Sequence, residues 1–251
     1  MASRIVLNTI SYHGHGAIEN IVPELTARGY KKAFVCSDPD LIKFGVTKKV
    51  IDLLDAAGFA YSVYSEIKPN PTIQNVQDGV AAFKAAEADC IVTIGGGSSM
   101  DTAKAIGLGA GYHGDFWDFF TGKAKIETSL PVGAVLTISA AGSEGSNSCV
   151  ITQEKGNLKW GCPKTDVIRP KFAVLNPRFT CSLPAYQTAC GAVDMLAHVC
   201  ERYFSNTPDV ALTDRLCEAL MKTILDAAPK ARLAPVSYTH LRAHETSQAL
   251  V

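Results

Sequence analysis

Short apolar runs rich in β-branched residues alternate with stretches of helical periodicity between residues 31 and 131. Strands that alternate with helices in this way are typical of a parallel, doubly wound sheet. We therefore predict an α/β fold built on a parallel sheet. The pattern predicts strands at Ala33–Cys36, Phe59–Tyr64 and Cys90–Ile94, and helices at Leu41–Ala57, Thr72–Ala88 and Ser98–Gly109.

The pattern changes beyond residue 130. Further strands are predicted at Val132–Thr137 and Phe172–Leu175, and a hairpin is predicted from Val150–Thr152 and Leu158–Trp160, which flank a turn. From Pro184 onward the chain becomes helical, with a second helix from about Pro208 to Ala227. We predict an α/β domain over residues 1–180 and the opening of a helical domain over residues 181–235.

The charge balance argues against a polyanionic partner. The 24 basic and 24 acidic residues cancel, and no block of Lys and Arg is present, so we expect neither nucleic acid nor a membrane as partner. The N-terminus does not resemble a leader, and no apolar run approaches the roughly 18 residues that a membrane helix needs. We expect a soluble, cytoplasmic protein with a small-molecule partner.

Eight cysteines are scattered along the chain without a CxxC motif. Cysteines outside such motifs and outside a secretory context are commonly small buried apolar residues. We therefore predict that these cysteines are buried apolar residues rather than members of disulfides or zinc ligands.

A glycine-rich turn follows the third predicted strand. Gly95, Gly96 and Gly97 stand where backbone would have to approach a ligand closely, and the helix beginning at Ser98 offers N–H groups and a dipole to phosphate. Ser98 and Asp101 also fit a capping box. Open α/β sheets bind ligands at such strand ends, although a plain structural turn is the alternative.

Asp38 follows the first predicted strand. A carboxylate at this position can bind the ribose hydroxyls of an adenosine and repel a 2′-phosphate, which favours NAD(H) over NADP(H). The alternative is a helix N-cap or turn residue before Pro39. No GxGxxG follows the first strand, so the pattern is not the standard dinucleotide fingerprint.

Asp194 and His198 stand four residues apart, which places both on one face of a helix. A carboxylate oxygen and an imidazole nitrogen suit a divalent metal such as Fe²⁺ or Zn²⁺. A surface ion pair is the alternative, and the apolar neighbours Val193 and Leu196 favour an inward-facing pair.

Five ordered motifs resemble the iron-containing (group III) alcohol dehydrogenase family over roughly Tyr12 to Pro229. They are Gly14-His-Gly-Ala17, Pro69-Asn-Pro-Thr72, Gly95-Gly-Gly-Ser98 with Asp101 and Lys104, Thr137 with Gly142-Ser-Glu144, and Gly191 to His198. The stretch from Leu183 to Tyr203 is most similar to the butanol dehydrogenase branch. The resemblance implies a dehydroquinate synthase-like architecture, with a dinucleotide-binding domain before a helical metal-binding domain.

The resemblance also implies an activity, namely metal-dependent hydride transfer between NAD(P)(H) and a primary alcohol or aldehyde. It implies a homodimer for the full-length form and no catalytic residue beyond the metal ligands. The cofactor set that it implies, together with Asp38, is Asn70, Gly95, Gly96, Gly97, Ser98, Ser99, Asp101, Thr137 and Lys159, and the metal set is Asp194 and His198.

Two features depart from the family. Ile138 stands where relatives often carry a second threonine, which removes a possible hydroxyl contact. The family takes two further histidine ligands from helices downstream, and we expect this chain to stop before they appear. Residues 236–251 do not resemble the family, so we interpret them as a vector- or assembly-derived tail in which His240 and His244 are not ligands.

Two other interpretations stay open. Glycerol dehydrogenases and dehydroquinate synthases share the architecture, although the similarity from Pro184 to Tyr203 argues against both. An incomplete helical domain would expose apolar surface and hold only two metal ligands. We therefore expect the chain of 251 residues to bind nucleotide without catalysing turnover.

Overall fold

The computed structural model describes residues 9–233. The tail interpreted above, with His240 and His244, lies outside the described residues. The strands are β1 (Ile10–His13), β2 (Lys32–Ser37), β3 (Ala60–Tyr64), β4 (Cys90–Gly95), β5 (Val132–Leu136), β6 (Val150–Gln153), β7 (Leu158–Gly161) and β8 (Phe172–Leu175). The helices are α1 (Ile21–Ala27), α2 (Pro39–Lys43), α3 (Val46–Ala56), α4 (Ile73–Ala86), α5 (Gly97–Ala110), α6 (Trp117–Phe120), α7 (Ala185–Tyr203) and α8 (Ala211–Leu233).

Six strands form one sheet in the order β1-β8-β5-β4-β2-β3, and every neighbouring pair is parallel. The predicted parallel α/β fold is thereby confirmed. From β2 the chain moves outward to β3 and then returns to place β4 on the other side of β2. The direction of winding therefore reverses between β2 and β4, which is the position where such sheets bind ligands.

Both faces of the sheet are covered. Phe34 and Cys36 of β2 pack into the cluster beneath α4, α5 and α6, whereas Ala33 and Val35 pack into the cluster beneath α1 and α3. This alternation is the period of two that a strand imposes on its side chains. Because both faces are buried, the central strands are apolar at nearly every position.

Parts of the pattern were interpreted wrongly or missed, and helices α1 and α6 are among the elements that were not predicted. The helix predicted at Leu41–Ala57 is two helices, because Gly45 adopts a left-handed conformation with φ of 73° between α2 and α3. Strand β1 was not predicted, since its four residues alternate in polarity and lie at the sheet edge, where only pairing with β8 defines them.

The helical segment and the hairpin agree with the prediction. Helices α7 and α8 pack on each other through a cluster that includes Met195, Val199, Cys217 and Ile224. Strands β6 and β7 form a separate antiparallel pair. None of the helices within residues 9–233 is long and apolar enough to cross a membrane. All eight cysteines are free thiols, and five of them are buried.

Candidate functional site

A cleft of about 480 Å³ opens at the carboxyl ends of β2, β4 and β5. Small-molecule sites in proteins commonly measure roughly 300–1,000 Å³, so the volume suits a ligand of that kind. Its walls come from the segments after these three strands and from the start of α7. Of the sequence-predicted cofactor residues, the cleft is lined by Asp38, Gly95, Gly96, Gly97, Ser98, Ser99 and Thr137.

The glycine turn has no room for side chains at its first two positions. A Cβ atom at Gly95 would lie 2.1 Å from Ser99 Oγ, and one at Gly96 would lie 2.6 Å from Ile138 Cγ2. At Gly97, by contrast, a Cβ atom would meet no protein atom within 4 Å. Gly95 and Gly96 therefore serve the protein's own packing, whereas Gly97 keeps the cleft side of the turn open.

Helix α5 begins at Gly97 with Gly96 as its N-cap, and no side chain caps it. Its first intrahelical bond runs from Met100 N–H to the Gly96 carbonyl. The preceding N–H groups of Gly97, Ser98 and Ser99 are those that a helix leaves without intrahelical partners. The turn thus presents backbone donors and the positive end of the dipole to the cleft.

The capping box predicted for Ser98 and Asp101 is wrong. The helix begins two residues earlier than that motif requires, with Gly96 rather than Ser98 as its N-cap, and both side chains bond elsewhere. Ser98 Oγ accepts a hydrogen bond from Asn70 N–H at 3.3 Å. The sequence motif that caps a helix with two side chains occurs instead at Thr72 and Asn75, at the start of α4.

Asp38 combines the two interpretations that the sequence left open. Its Oδ1 accepts a hydrogen bond from Asp40 N–H at 2.8 Å, so it is the N-cap of α2. It also lines the cleft beside the glycine turn, because Ser37 at the end of β2 pairs with Ile94, the residue before Gly95. The Asp38 carboxylate therefore caps α2 and still lines the rim of the cleft.

Asn70 and Lys159 meet beside the turn rather than within the cleft lining. Lys159 Nζ on β7 donates to Asn70 Oδ1 at 3.0 Å, and Asn70 in turn donates to Ser98. Asn70 has a φ of 51°, a left-handed conformation that asparagine tolerates better than most residues. These contacts bring a cation from the hairpin to the outer edge of the glycine turn.

Thr137 stands at the end of β5, where its N–H donates to the Gly95 carbonyl at 3.1 Å. The side chain is buried, and the residue lines the cleft. The following residue, Ile138, lines both this cleft and a small apolar pocket formed with Met195 and Ile224. The isoleucine thus joins the α/β part to the helical segment through apolar contacts.

Asp101 points away from the cleft. Its Oδ1 accepts from Ser143 Oγ at 2.7 Å, and its Oδ2 accepts from Val150 N–H at 3.0 Å. The fully buried Lys104 donates to the Ser143 carbonyl at 2.6 Å, to Ser143 Oγ at 2.9 Å and to the Ser148 carbonyl at 3.0 Å. Burial raises the pKa of Asp101 and lowers that of Lys104, and the charge of each group opposes the shift in the other.

Asp194 and His198 share one face of α7, with His198 Nε2 3.8 Å from Asp194 Oδ2. Both side chains are 47% exposed, so the inward-facing pair that the apolar neighbours favoured is not what residues 9–233 show. Carboxylate and imidazole are both suitable ligands for a divalent metal. Within the described part of the chain, no third His, Cys, Asp or Glu joins them to form a metal-binding group.

Several cleft-lining residues were not predicted as cofactor residues from the sequence. Leu41 and Phe44 lie on one side, and Leu183 and Gln187 close the cleft from the start of α7. Phe44 is 66% exposed. The exposed ring of Phe44 could have indicated a ligand-binding surface near Asp38. The sequence did not reveal it, because one continuous helix was predicted where the structure has a break between α2 and α3.

The sheet order and the uncapped glycine turn at the point of reversal define an α/β domain of the doubly wound class, and proteins of this class commonly bind ligands at that point. Residues 8–177 match the family model described as iron-containing alcohol dehydrogenase, and the chain belongs to that family.

Relatives within the family carry related names. The chain is 37% identical over 219 residues to the probable NADH-dependent butanol dehydrogenase 1 of Bacillus subtilis, covering 86% of this chain and 56% of the relative. The crystal structure of NADH-dependent butanol dehydrogenase A from Thermotoga maritima superposes with a TM-score of 0.92 at 32% identity, covering 100% of this chain and 63% of that one. Sulfoacetaldehyde reductase from Bifidobacterium kashiwanohense, in complex with NAD⁺, superposes with a TM-score of 0.89 at 25% identity, covering 99% and 65%. The chain thus spans about half the length of the curated relative that it matches.

Proposed function

We propose that the chain supplies the dinucleotide-binding part of a metal-dependent oxidoreductase that transfers hydride between NAD(H) and a primary alcohol or aldehyde. The observation that carries the proposal is that Asp38 and the uncapped turn Gly95–Ser99 line one cleft, at the ends of the adjacent strands β2 and β4. A carboxylate and a phosphate-binding helix start are the two features with which such sheets bind the ribose and pyrophosphate of a dinucleotide.

The pyrophosphate is assigned to the start of α5. The N–H groups of Gly97, Ser98 and Ser99 lie at the cleft, and the missing side chain at Gly97 leaves space for phosphate oxygens. The ammonium of Lys159 would add a positive charge at the edge of the turn, held there by Asn70. Thr137 would contact the cofactor from the end of β5.

NAD(H) is proposed over NADP(H) because Asp38 would repel a 2′-phosphate. The N-cap hydrogen bond from Asp40 N–H holds the carboxylate at the cleft rim, where it would act on a 2′-phosphate. Leu41 and Phe44 offer an apolar wall beside it that suits an adenine ring. The names of the butanol dehydrogenase relatives and the NAD⁺ complex of the reductase support the same choice.

Asp194 and His198 are proposed as two ligands of a divalent metal, iron or zinc. When bound, such a metal acts as a Lewis acid that polarises a carbonyl oxygen or stabilises an alkoxide. The half-exposed pair on α7 has the donor types that such a metal needs, but two ligands are fewer than the three or four that protein sites supply. The resemblance implies that the remaining ligands are the two further histidines that the family takes from helices downstream of the one that carries the Asp and His pair.

The proposed division of labour follows the separation of the apolar cluster between α7 and α8 from the clusters on the two faces of the sheet. Residues 1–180 would bind the dinucleotide and residues from 181 onward would bring the metal to it, with the start of α7 closing the cleft. Small primary alcohols and aldehydes are the proposed substrates because the relatives are named for them. The proposed homodimer rests on the resemblance to the family alone.

Binding of NADH to the full chain tests the nucleotide site. Quenching of tryptophan fluorescence would report the affinity, and Gly97→Ala should weaken it by about tenfold or more, because the methyl group enters the space assigned to phosphate without meeting the protein. Gly16→Ala is the matched control, since its added methyl also meets only ordinary contacts and lies outside the cleft. Equal affinity in both variants would contradict the assignment.

Turnover requires a separate measurement. NADH oxidation would be followed with butanal as acceptor after the chain has been incubated with Fe²⁺ or Zn²⁺. Binding of NADH without metal-dependent oxidation would support the nucleotide site and contradict hydride transfer by this chain.

A further inference from the structure

Two buried cysteines face each other at the base of the hairpin. Val150 pairs with Gly161 in the β6–β7 ladder, and the next opposed pair outward is Cys149 and Cys162. Cys162 N–H donates to the Cys149 carbonyl at 2.9 Å, and the two Sγ atoms lie 3.5 Å apart. The exposed fractions are 1% for Cys149 and 4% for Cys162.

The backbone geometry is compatible with a covalent bond between these sulfurs. Directly opposed residues of antiparallel strands have Cα atoms about 4.5–5.5 Å apart, which lies within the roughly 4.4–6.8 Å that a disulfide spans. Rotation about the side-chain bonds is therefore enough to join them. Cys36 and Cys90, which are also buried, sit in different rows of the parallel sheet, because Cys90 pairs with Ala33.

The two thiols differ in acidity. The Cys149 thiol donates a hydrogen bond to Cys162 Sγ, which lowers the pKa of Cys162 to about 7 in spite of burial. The backbone N–H of Cys149 also donates to this sulfur, and the charge of Lys104 acts in the same direction. The same hydrogen bond raises the pKa of Cys149. One member of the pair is thereby prepared as a nucleophilic thiolate and the other as its proton donor.

We propose that Cys149 and Cys162 form a reversible intramolecular disulfide when the protein meets a peroxide. The Cys162 thiolate attacks one peroxide oxygen, the O–O bond breaks, and a sulfenic acid and water result. The Cys149 sulfur then attacks the Cys162 sulfur, the S–O bond breaks, and a second water leaves. Two thiols and one peroxide thus give one disulfide and two waters, and a dithiol reductant reverses the change.

The bond would join segments that contact the buried polar network. Ser148 and Val150, on either side of Cys149, accept from Lys104 and donate to Asp101, respectively. The far end of the same hairpin carries Lys159. Oxidation would therefore fix the two hairpin strands to each other beside the segments that contact α5. The proposal does not depend on nucleotide binding, so it can be tested whatever the outcome for the proposed function.

The test is differential alkylation of the full chain after treatment with hydrogen peroxide. We expect a peptide pair joining Cys149 to Cys162, lighter by two hydrogens and restored by dithiothreitol, while Cys36 and Cys90 stay alkylatable after unfolding. Two results would overturn the proposal: both thiols remaining alkylatable when the exposed Cys190 has been oxidised, or either thiol joined to another cysteine.

Two conservative variants assign the roles within the pair. In Cys149→Ala a sulfenic acid should accumulate on Cys162 and be trapped by dimedone, whereas Cys162→Ala should give no adduct on Cys149. Oxidation of Cys162 should become half-maximal near pH 7 in the wild type and at higher pH in Cys149→Ala, with Lys104 and Asp101 as the charged groups that face the pair. Adducts on Cys149 in Cys162→Ala, or an unshifted pH profile, would reject the mechanism.

Discussion

The ammonium of Lys104 on α5 lies 2.6 Å from the carbonyl oxygen of Ser143, across 39 residues of chain. The same ammonium binds the Ser143 hydroxyl, which also donates to Asp101. A single buried cation therefore connects α5, the loop after β5 and the base of the hairpin. Asp101, Lys104 and Ser143 all stand in motifs that resemble the family, yet their side chains bond to one another in the interior and do not line the cleft.

We expect Lys104→Met to lower the free energy of unfolding by about 3–5 kcal/mol, because it leaves the Asp101 carboxylate and two carbonyls buried without their cation. Urea denaturation would measure the change. Lys125→Met, at an exposed lysine, should leave the midpoint unchanged. A loss in Lys104→Met no larger than in this control would mean that the network does not stabilise the fold.

Gly191 is a second position where a substitution should destabilise the fold. A Cβ atom there would lie 2.3 Å from the Ser139 carbonyl oxygen, which is backbone and cannot rotate away. Gly191→Ala should therefore push α7 from the loop after β5 and cost about 1–3 kcal/mol of stability. Thermal unfolding would measure it, and Gly16→Ala again supplies the control. An unshifted midpoint would show that α7 is not held by this contact.

Asp38→Asn separates charge from capping at the cleft rim. Asparagine is as good an N-cap as aspartate, so α2 should keep its start, while the repulsion of a 2′-phosphate disappears. The ratio of NADPH to NADH dissociation constants should fall by about tenfold. Titrations of both nucleotides would give the ratio. If Asp38→Gly and Asp38→Asn both left it unchanged, Asp38 would not determine the cofactor preference.

Lys159→Met should weaken NADH binding by about threefold to tenfold and reduce its dependence on salt, since it removes the cation that Asn70 holds beside the turn. Lys155→Met lies in the turn of the same hairpin and is the matched control. Titrations at two ionic strengths distinguish the two lysines. Identical behaviour of the variants would place Lys159 outside the nucleotide site.

His198→Ala should reduce the amount of Zn²⁺ or Fe²⁺ retained by the chain, because the imidazole is one of two proposed ligands on α7. Metal content after dialysis, determined by atomic spectroscopy, is a readout independent of turnover. His113→Ala removes an exposed histidine elsewhere and should have no effect. Equal retention in both variants would remove His198 from the proposed ligands.

The sheet could be predicted from the sequence because its central strands, such as β4 and β5, are buried on both faces and contain hardly any polar side chain. Strand β1 could not, since only its pairing with β8 makes it a strand. The break at Gly45 was missed for a related reason: a glycine inside a helical pattern interrupts it only when the backbone turns left-handed there.

For the cleft, the sequence predicted which residues lie near it better than it predicted where their side chains point. Asp38 and the glycine turn line one cleft, as strand-end positions predict. Asp101 had been grouped with them from its motif, and the sequence offered no sign that Ser143 and Val150 would hold it inside. The inward direction favoured for Asp194 and His198 failed likewise, because apolar neighbours on a helix do not reveal which face meets the rest of the protein.

The cleft walls come from the segments after β2, β4 and β5 and from the first turn of α7, so they are far apart along the chain. A small molecule bound there would touch all of them at once and would favour only the conformation in which they are assembled. Saturating ligand at about 100 times its dissociation constant adds roughly 2.7 kcal/mol to the free energy of unfolding. A bound coenzyme would then link the segments after β2, β4 and β5 to the start of α7. Its affinity would therefore depend on how well the helical segment packs against the sheet.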